Sequence, residues 1–365
     1  MDILTEVLAS MRTSRPAAVR TNGRAPWALR LPPVAGAGFH VVLHGSCWLL
    51  EPDASRPPLH LREGDVVFLR DGHGHVLADD PATEPTEPGE EALAVSERRA
   101  VAARAESGLD GAAAPGPEPA SDGPSATGEG PAPDGPGVAR FRDGSPIGTV
   151  SLGGGGAEAR LLCGAYHLDQ GRPHPLVRQL PEVVHLATGG GRHPELTAAI
   201  GLLRSELDGP RLGSDGIVPA LVDSLLLYVL RAWLDGQPSD ALAGWAAALR
   251  DPVIAPALAA IHRAPDRPWT VEGLAARAGT SRATFARRFT SLVGEPPLAY
   301  LTRWRMTTAV DLLKDPALPL AAVAARTGYG SEYAFGKAFK REFGQPPGGY
   351  RRQLGPVAGA TGLVG

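Results

Sequence analysis

Residues 324–351 of this chain read AARTGYGSEYAFGKAFKREFGQPPGGYR, and residues 275–301 read AARAGTSRATFARRFTSLVGEPPLAYL. When the two stretches are aligned, their alanines, arginine and first glycine match at a spacing of 49 residues. From Phe285 onward the spacing is 50 residues, and it matches the phenylalanines, the glycine, the prolines and the tyrosine. Such an internal repeat indicates one supersecondary unit that occurs twice, with a single extra residue in the second copy.

The first copy carries the local signals of two helices joined by a tight turn. Thr270 is placed to cap one helix, Gly279 can end it in the left-handed conformation, and Ser281 is placed to cap the next. That next helix has three apolar residues at the i, i+4, i+7 spacing of a buried face: Phe285, Phe289 and Leu292. The second copy repeats the design with Gly328, Phe335, Phe339 and Phe343. This is the helix-turn-helix pattern, whose second helix enters the major groove of DNA.

Between the copies, PPLAYLTRWRMTTAVDLLKD predicts a linking helix. It opens with prolines suited to a helix start and then places Leu301, Trp304, Thr308 and Leu312 three and four residues apart. Two reading helices on one rigid connector can enter successive major grooves, about 34 Å apart on one face of DNA.

The charge distribution agrees with a nucleic-acid partner at the end of the chain. The 365 residues carry a net charge of only −3, but residues 251–365 hold 15 Lys and Arg against 8 Asp and Glu. Residues 1–250 are correspondingly acidic. Two cysteines cannot build a disulfide framework, and the sequence shows neither a signal peptide nor an apolar run of 18 residues. These features predict a cytoplasmic protein without a membrane segment.

Residues 253–352 resemble the DNA-binding domain of the AraC/XylS family of bacterial transcription regulators, because both units, their linker and the closing Gly-x-x-Pro-x-x-Tyr-Arg form occur in order. The resemblance implies base-reading positions at Ala283, Thr284 and Arg287 in the first unit and at Glu332, Tyr333 and Lys337 in the second. Arg288 and Lys340 are better placed for phosphates, and Arg282 lies on the same outer face. The alternative is that these side chains only form a solvated helix face.

Each reading helix departs from a strong reading surface. Ala283 and Ala286 leave the first reading helix sparse in hydrogen-bonding groups, and Gly336 weakens the second by up to ~1 kcal/mol of helix propensity. The base preference of the family therefore cannot be transferred to this chain.

The front of the chain has the pattern of a small β-barrel interrupted by a long insertion. FHVVLHGSCWLL and LHLREGDVVFLRDGHGHVLAD are β-branched and aromatic runs separated by turn residues, and AEARLLCGAYHLD resumes this pattern. Residues 81–138 contain ten Pro, nine Gly and no aromatic residue, so we expect them to be a disordered insertion.

The barrel sequence resembles the cupin-like sensor domain that is often attached to such regulators. The resemblance rests on the Gly-Asp turn of Gly64 and Asp65 and on the Gly-x-x-His of Gly72 and His75. It implies a pocket for an effector, which we expect to be uncharged or anionic, with four candidate contacts: His44, Trp48, His75 and Tyr166. The alternative is a barrel that only dimerises.

A metal site is a second hypothesis for the barrel, with His44, Cys47, His75 and Cys163 as Zn²⁺ ligands. The alternative is that His75 is hydrogen-bonded in the barrel and that both cysteines are small buried hydrophobes. A metal-dependent cupin enzyme would need two histidines and a carboxylate at a facial-triad spacing, which the sequence does not show. We therefore predict no cofactor and no enzymatic activity.

Residues 194–250 have apolar residues at helical spacing. One helix carries a wide apolar stripe that includes Val218, Val222 and Trp233. A stripe of this width must pack against two neighbouring elements. The stripe is buried within its own domain or forms a dimer contact through Leu221, Leu225 and Val229.

Together these patterns predict an α+β multidomain protein with four parts: a cupin-like barrel at 1–193, a helical linker or dimerisation segment at 194–250, an all-α double helix-turn-helix domain at 251–352 and a flexible tail at 353–365. The predicted function is that of a sequence-specific DNA-binding transcriptional regulator, an activator or, as the alternative, a repressor. Its predicted partners are double-stranded DNA, a small effector, RNA polymerase and a second copy of the chain.

Overall fold

The structure is a computed structural model that describes residues 3–11, 16–34, 36–51, 56–87, 140–142, 147–168, 174–209, 211–238 and 244–354. The strands are β1 (Ala17–Arg24), β2 (Ala28–Leu31), β3 (Ala37–His44), β4 (Ser46–Leu50), β5 (Leu59–Arg62), β6 (Val66–Leu69), β7 (His75–Ala78), β8 (Arg140–Arg142), β9 (Gly148–Gly153), β10 (Glu158–Tyr166) and β11 (Val183–Leu186).

The helices of the front half are α1 (Ile3–Met11), α2 (Pro175–Gln179), α3 (Pro194–Asp208) and α4 (Ser214–Gly236). Those of the back half are α5 (Gly244–Arg250), α6 (Ile254–Arg263), α7 (Val271–Arg277), α8 (Arg282–Val293), α9 (Pro297–Leu313), α10 (Leu320–Arg326), α11 (Glu332–Phe343) and α12 (Pro347–Leu354). The predicted α+β organisation, with a sheet-rich front and a helical back, is confirmed.

The described strands form two facing sheets. The order in the larger sheet is β11-β6-β3-β10-β1-β9-β8, and in the smaller sheet it is β2-β7-β4-β5. Strand β10 pairs antiparallel with both β3 and β1, so that Cys163 stands opposite His40 on one side and Val19 on the other. Strands from both sides of residues 88–139 therefore belong to one sheet.

The start of the predicted insertion belongs to the ordered barrel. Thr86 N–H donates to the carbonyl of Ala28 at 2.9 Å, and Thr86 O accepts from Arg30 N–H at 3.0 Å. The predicted boundary at residue 81 is thus wrong, because residues 81–87 belong to the described barrel and Thr86 pairs with β2 at the edge of the smaller sheet. The rest of that prediction, residues 88–138, lies outside the described residues. Of the predicted tail at 353–365, residues 353 and 354 belong to α12, and the remainder also lies outside the described residues.

Strand β3 is buried on both faces, which explains its continuous apolar run. Phe39 and Val41 belong to a core between the larger sheet and the helices, whereas Val42 belongs to a second core between the two sheets. The first of these cores, which we call the shared core, continues through α1 to α8 and the first half of α9.

Helix α4 is a core helix. Leu225 and Val229 are buried within their own chain, whereas Leu221 is half-buried, so a dimer contact through Leu225 and Val229 is wrong for these residues. This burial also accounts for the composition of α4. With a mean hydropathy of 1.7 it is long and apolar enough to cross a membrane, but helices in the cores of soluble proteins pass the same test.

The linking helix α9 has two apolar faces. Tyr300, Leu301 and Trp304 lie in the shared core. Met306, Ala309 and Leu313 lie in a separate core with α10 and α11, which we call the distal core. The predicted helix is present, but its second half buries these residues rather than Thr308 and Leu312, which are only half-buried.

Candidate nucleic-acid interface and barrel cavity

The first reading helix, α8, begins at the predicted cap residue. Ser281 Oγ accepts from Thr284 N–H at 3.3 Å, and Gly294 ends the helix in the left-handed region at φ 89°. Phe285 and Phe289 are fully buried. The third anchor differs from the prediction, because Val293 is buried and Leu292 is only half-buried.

On the outer face of α8, some side chains are only exposed to solvent and others are bound to neighbouring residues. Ala283 and Arg287 are exposed, and Arg287 forms no ion pair with any described residue. Thr284 is half-buried, and its hydroxyl accepts from Ser281 Oγ at 2.9 Å. Arg282 is exposed but lies 2.8 Å from a carboxylate oxygen of Glu272 on α7.

Arg288 is held by a buried carboxylate. Its Nε and Nη2 donate to Asp251 Oδ2 at 2.7 and 2.6 Å, while Asp251 Oδ1 accepts from the N–H groups of Val253 and Ile254, both at 2.9 Å. Asp251 therefore caps α6 and anchors α8 at the same time. A phosphate contact by Arg288, which stays a prediction, would compete with this ion pair.

The electrostatics of Asp251 are set by opposing effects. Burial raises the pKa of its carboxyl, but the N–H groups of Ile254 and Val253 and the Arg288 guanidinium together lower it more, so that the pKa lies below its usual range. The carboxylate is thus the favoured state of this group in the folded protein.

The second reading helix, α11, begins with a serine cap like that of α8. Ser331 Oγ accepts from Ala334 N–H at 3.2 Å, and Gly344 ends the helix at φ 76°. Phe335 and Phe339 are fully buried, and Phe343 packs beside Tyr350 with ring centroids 5.3 Å apart.

The predicted contact residues of α11 are all exposed: Glu332, Tyr333, Lys337 and Lys340. Tyr333 is 82% exposed, which is unusual for an aromatic side chain. Neither lysine forms an ion pair within the part of the chain that the structure describes. Both reading faces are accordingly uncovered in this structure.

A cavity of about 140 Å³ lies between the two sheets of the barrel. Most of its lining is aliphatic or backbone, and no Asp, Glu, Lys or Arg is among the residues that line it. Its polar side chains are Thr21, His40, His75 and Cys163.

The two histidines form a buried pair. Their Nε2 atoms lie 2.6 Å apart, and His75 Nδ1 lies 2.9 Å from the carbonyl oxygen of His73. Because a carbonyl only accepts, His75 Nδ1 carries the proton, its Nε2 accepts, and His40 Nε2 donates. Burial lowers the pKa of His75 to about 4 and lowers that of His40 well below its usual range, so both rings are neutral.

Of the predicted effector contacts, only His75 lines this cavity. His44 is exposed, 3.1 Å from Glu63, and Trp48 stacks on His60 with ring centroids 4.5 Å apart. Tyr166 is buried on the helix side of the larger sheet, where its hydroxyl donates to the carbonyl of Val222 at 2.8 Å. Strand alternation or position directs these three residues away from the cavity, so a contact with an effector in it is left to His75 alone of the four.

The predicted metal ligands do not converge. No group of three or more His, Cys, Asp or Glu that could hold a metal occurs among the described residues. Cys47 is fully buried between the sheets, and Thr21 Oγ1 donates to Cys163 Sγ at 3.6 Å. Burial raises the pKa of both thiols, that of Cys163 to about 12. The alternative of small buried hydrophobes fits both cysteines.

Sequence reasoning missed two polar partners. His40 and Asp251 are absent from the residues that the sequence predicts to be functional. A signal for Asp251 was available, because an acidic residue just before an apolar helix is a common cap. No comparable signal links His40 to His75.

Comparison with known proteins gives matches to both halves. A cupin family model matches residues 2–235, and a helix-turn-helix domain model matches residues 274–353. An AraC-like transcription regulator of Streptomyces lividans is 32% identical over 352 residues, which cover 96% of this chain and 98% of that protein. The transcriptional regulator AlkR of Acinetobacter baylyi is 28% identical, with 97% of this chain and 100% of that protein covered.

Among solved structures, the DNA-binding domain of AdpA in complex with a target DNA is 40% identical. The match covers 28% of this chain and 91% of that chain, with a TM-score of 0.26. Because the cupin match spans more than half of this chain and the Streptomyces relative matches along nearly its whole length, the chain belongs to the AraC-like family of DNA-binding transcription regulators with a cupin-like N-terminal domain.

Proposed function

We propose that this regulator is controlled by a small uncharged molecule that binds in the barrel cavity. The observation that carries the proposal is the lining, which combines aliphatic groups with a neutral histidine pair and contains no cationic side chain. An anion in such a cavity would lose its hydration without gaining a counter-charge. The cavity thus favours an uncharged ligand over an anion, the two classes that the sequence left open.

The size and polarity of the cavity further restrict which uncharged molecules can bind in it. A volume of about 140 Å³ is close to that of an engineered apolar cavity that holds benzene, so we expect a ligand of roughly six to nine heavy atoms. His40 Nδ1, the bare nitrogen of that ring, has no partner among the described residues. A ligand with one hydroxyl or N–H could satisfy this acceptor, whose burial without a partner is otherwise costly.

The position of the cavity suggests how occupancy would reach the DNA-binding domain. Ala17 and Ala165 line it at adjoining ends of β1 and β10. The next residue of β10, Tyr166, binds the backbone of α4, and α1, which precedes β1, packs on α6 and α9. Small shifts at this end of the barrel would act on the shared core and so on the placement of α8.

A test uses the full-length protein and a DNA duplex that it selects from a random library. Benzyl alcohol and benzoate are matched probes of similar size, the first uncharged with one donor and the second anionic. We expect benzyl alcohol to raise the melting temperature and to change DNA affinity by about fivefold or more, a common size of allosteric coupling. Equal effects of the two compounds would contradict the proposal of an uncharged ligand.

Gly38 provides the cavity-filling control. It lines the cavity, and an added Cβ would meet only ordinary contacts, 3.5 Å from Leu69 Cδ1. Gly38→Leu should therefore fill the space without moving the backbone and abolish the response to benzyl alcohol. A retained response would place the ligand elsewhere.

We also propose that the exposed residues of α8 and α11 read bases as the family resemblance implies, and that the protein acts in the cytoplasm as a homodimer without enzymatic activity. Support for a dimer comes from Leu202 and Ile217, apolar side chains that are 57% and 44% exposed on α3 and α4. Contact with RNA polymerase and activation of transcription stay predictions. Sedimentation of the purified protein would test the dimer.

A further inference from the structure

Arg305 lies near the middle of α9 and binds the loop that joins α6 to α7. Its Nε donates to the carbonyl of Pro265 at 2.7 Å, and its Nη2 donates to the carbonyl of Arg267 at 2.8 Å. The same loop leads into Thr270, which caps α7. One guanidinium therefore fixes the loop of the first helix-turn-helix unit, residues 253–296, to the linking helix.

The other side of Arg305 faces the second unit, residues 315–352. Its guanidinium carbon lies 5.8 Å from the ring centroid of Tyr329, and that ring packs against Phe335 at the buried base of α11. Gly328, at the turn before α11, comes still closer. A Cβ added there would lie 2.6 Å from Arg305 Nη2 and 2.8 Å from the carbonyl oxygen of Asp266.

The repeated units differ at this point. Gly279 is the turn glycine of the first unit, and it has φ +66°, close to the φ of +76° at Gly328. A Cβ added at Gly279 would meet nothing within 4 Å. Only the second turn is pressed against a neighbour, so its closeness is a tertiary contact and not a requirement of the turn itself.

We propose that Arg305 is a positioning residue for DNA recognition, which joins the two helix-turn-helix units at a second point besides α9 and so fixes the separation and rotation of their reading helices. Each unit packs on its own half of α9, because the shared and distal cores are separate, so a bend or twist of α9 would move one reading helix relative to the other. The contacts of Arg305 with Pro265 and Arg267 on one side and Gly328 on the other oppose that motion.

A second connection between the two units controls which spacing between two DNA subsites the protein prefers. Inserting one base pair moves the second subsite by about 3.4 Å and rotates it by roughly 35°. Two rigidly joined readers cannot follow both changes, whereas loosely joined readers can. The inference rests on both units binding one duplex.

The experiment measures the affinity of full-length protein for the selected duplex and for versions with one base pair removed or added between the subsites. The wild type should prefer its own spacing by about tenfold or more, since a changed spacing removes at least one base contact. Arg305→Ala should reduce this preference to about threefold or less. Arg305→Lys keeps the charge but cannot span two carbonyls with a planar fork, and it should show an intermediate preference.

Arg303→Ala is the matched control on the same helix, because Arg303 binds Glu295 within the first unit and faces away from the contacts that Arg305 makes. It should keep the wild-type spacing profile. A second pair compares Gly328→Ala with Gly279→Ala, which have similar local strain at positive φ. Only Gly328→Ala should flatten the profile.

An Arg305→Ala profile that equals those of the wild type and Arg303→Ala would overturn the inference. Equal, uniform losses of affinity at all spacings in Arg305→Ala and Arg303→Ala would also overturn it, because they would indicate a merely structural role. A wild-type protein that selects no duplex with two subsites would instead overturn the two-unit DNA binding on which the inference rests.

Discussion

The two helix-turn-helix units share a local design but differ in what they are built into. In the first, Phe285 and Phe289 join the shared core, in which Trp245 of α5 lies 5.6 Å from Tyr300, measured between ring centroids. In the second, Phe335 and Phe339 belong to the distal core of α9 to α11. The difference teaches that the first unit shares one core with the helices that pack on the barrel, whereas the second is a smaller body held by α9 and the contacts of Arg305.

The largest expected effect is the loss of stability when a phenylalanine is removed from either core. Phe289→Ala and Phe339→Ala should each cost about 3–5 kcal/mol, as large-to-small changes in a packed core do. Phe289→Ala should lower protection from hydrogen exchange in α5, α6 and the helices on the barrel, because these share its core. Phe339→Ala should lower protection only in α10 to α12 and the second half of α9. Identical patterns in the two variants would remove the distinction.

The next effect concerns an anchor that only the first unit has. Asp251→Asn weakens the hold on Arg288 and the cap of α6, and we expect it to cost about 1–3 kcal/mol in the free energy of unfolding. Asp311→Asn is the control, because its pair with Lys314 is at the surface and should contribute less than about 1 kcal/mol. Chemical denaturation at neutral pH measures both.

The contribution of Asp251 should also depend on pH. Its folded pKa is depressed, so its stabilisation is fully present above the ordinary carboxyl pKa of about 3.9 and is lost as the pH falls through the lower folded value. The stability difference between the wild type and Asp251→Asn should therefore shrink below about pH 4. A constant difference down to pH 2 would contradict this assignment.

A third comparison concerns the two reading faces. Arg287→Ala should cost about 1–3 kcal/mol on the selected duplex and relax preference at one base position. Lys340→Ala should weaken all sequences about equally and reduce the salt dependence by roughly one unit of slope. Affinities for single-base variants at several salt concentrations measure both effects. A uniform loss for Arg287→Ala with altered base preference for Lys340→Ala would mean that the reading face is rotated.

The smallest effect concerns the matched caps. Ser281→Ala and Ser331→Ala should each cost about 1 kcal/mol, because each loses one helix cap. Ser281 also donates to Thr284, a predicted base-reading residue, whereas the residue at the same place in α11 is Ala334. Ser281→Ala should alter base discrimination and Ser331→Ala should not. Equal discrimination profiles would show that the Thr284 hydroxyl does not depend on its neighbour for DNA binding.

Several parts of the fold could be predicted because their signals lie within a few residues. The caps of α8 and α11, their buried phenylalanine pairs and the glycine ends of the helices follow from the spacing of side chains along one helix. Finer burial could not be predicted in this way. Leu292 and Val293 differ by one position, and which of them is buried depends on the angle at which α8 meets its neighbours.

The barrel site was the least predictable part of the molecule. The family resemblance identified His75, but the cavity forms only where the two sheets face each other, and His40 reaches His75 from the other sheet. From the sequence, Tyr166 and His75 are equally plausible effector contacts. They differ in the side of the sheet on which each side chain lies, because His75 lines the cavity and Tyr166 does not.

The sequence by itself determined that this protein contains two helix-turn-helix units on a linking helix behind an interrupted barrel, because periodicity, caps and turns are local. Only the tertiary structure decided that Asp251 holds Arg288, that His40 pairs with His75, and that Arg305 joins the two units. These partners are 35 to 40 residues apart in the chain. They meet because apolar surfaces fix the angles between packed elements, and a polar group can only use the partner that this packing places beside it.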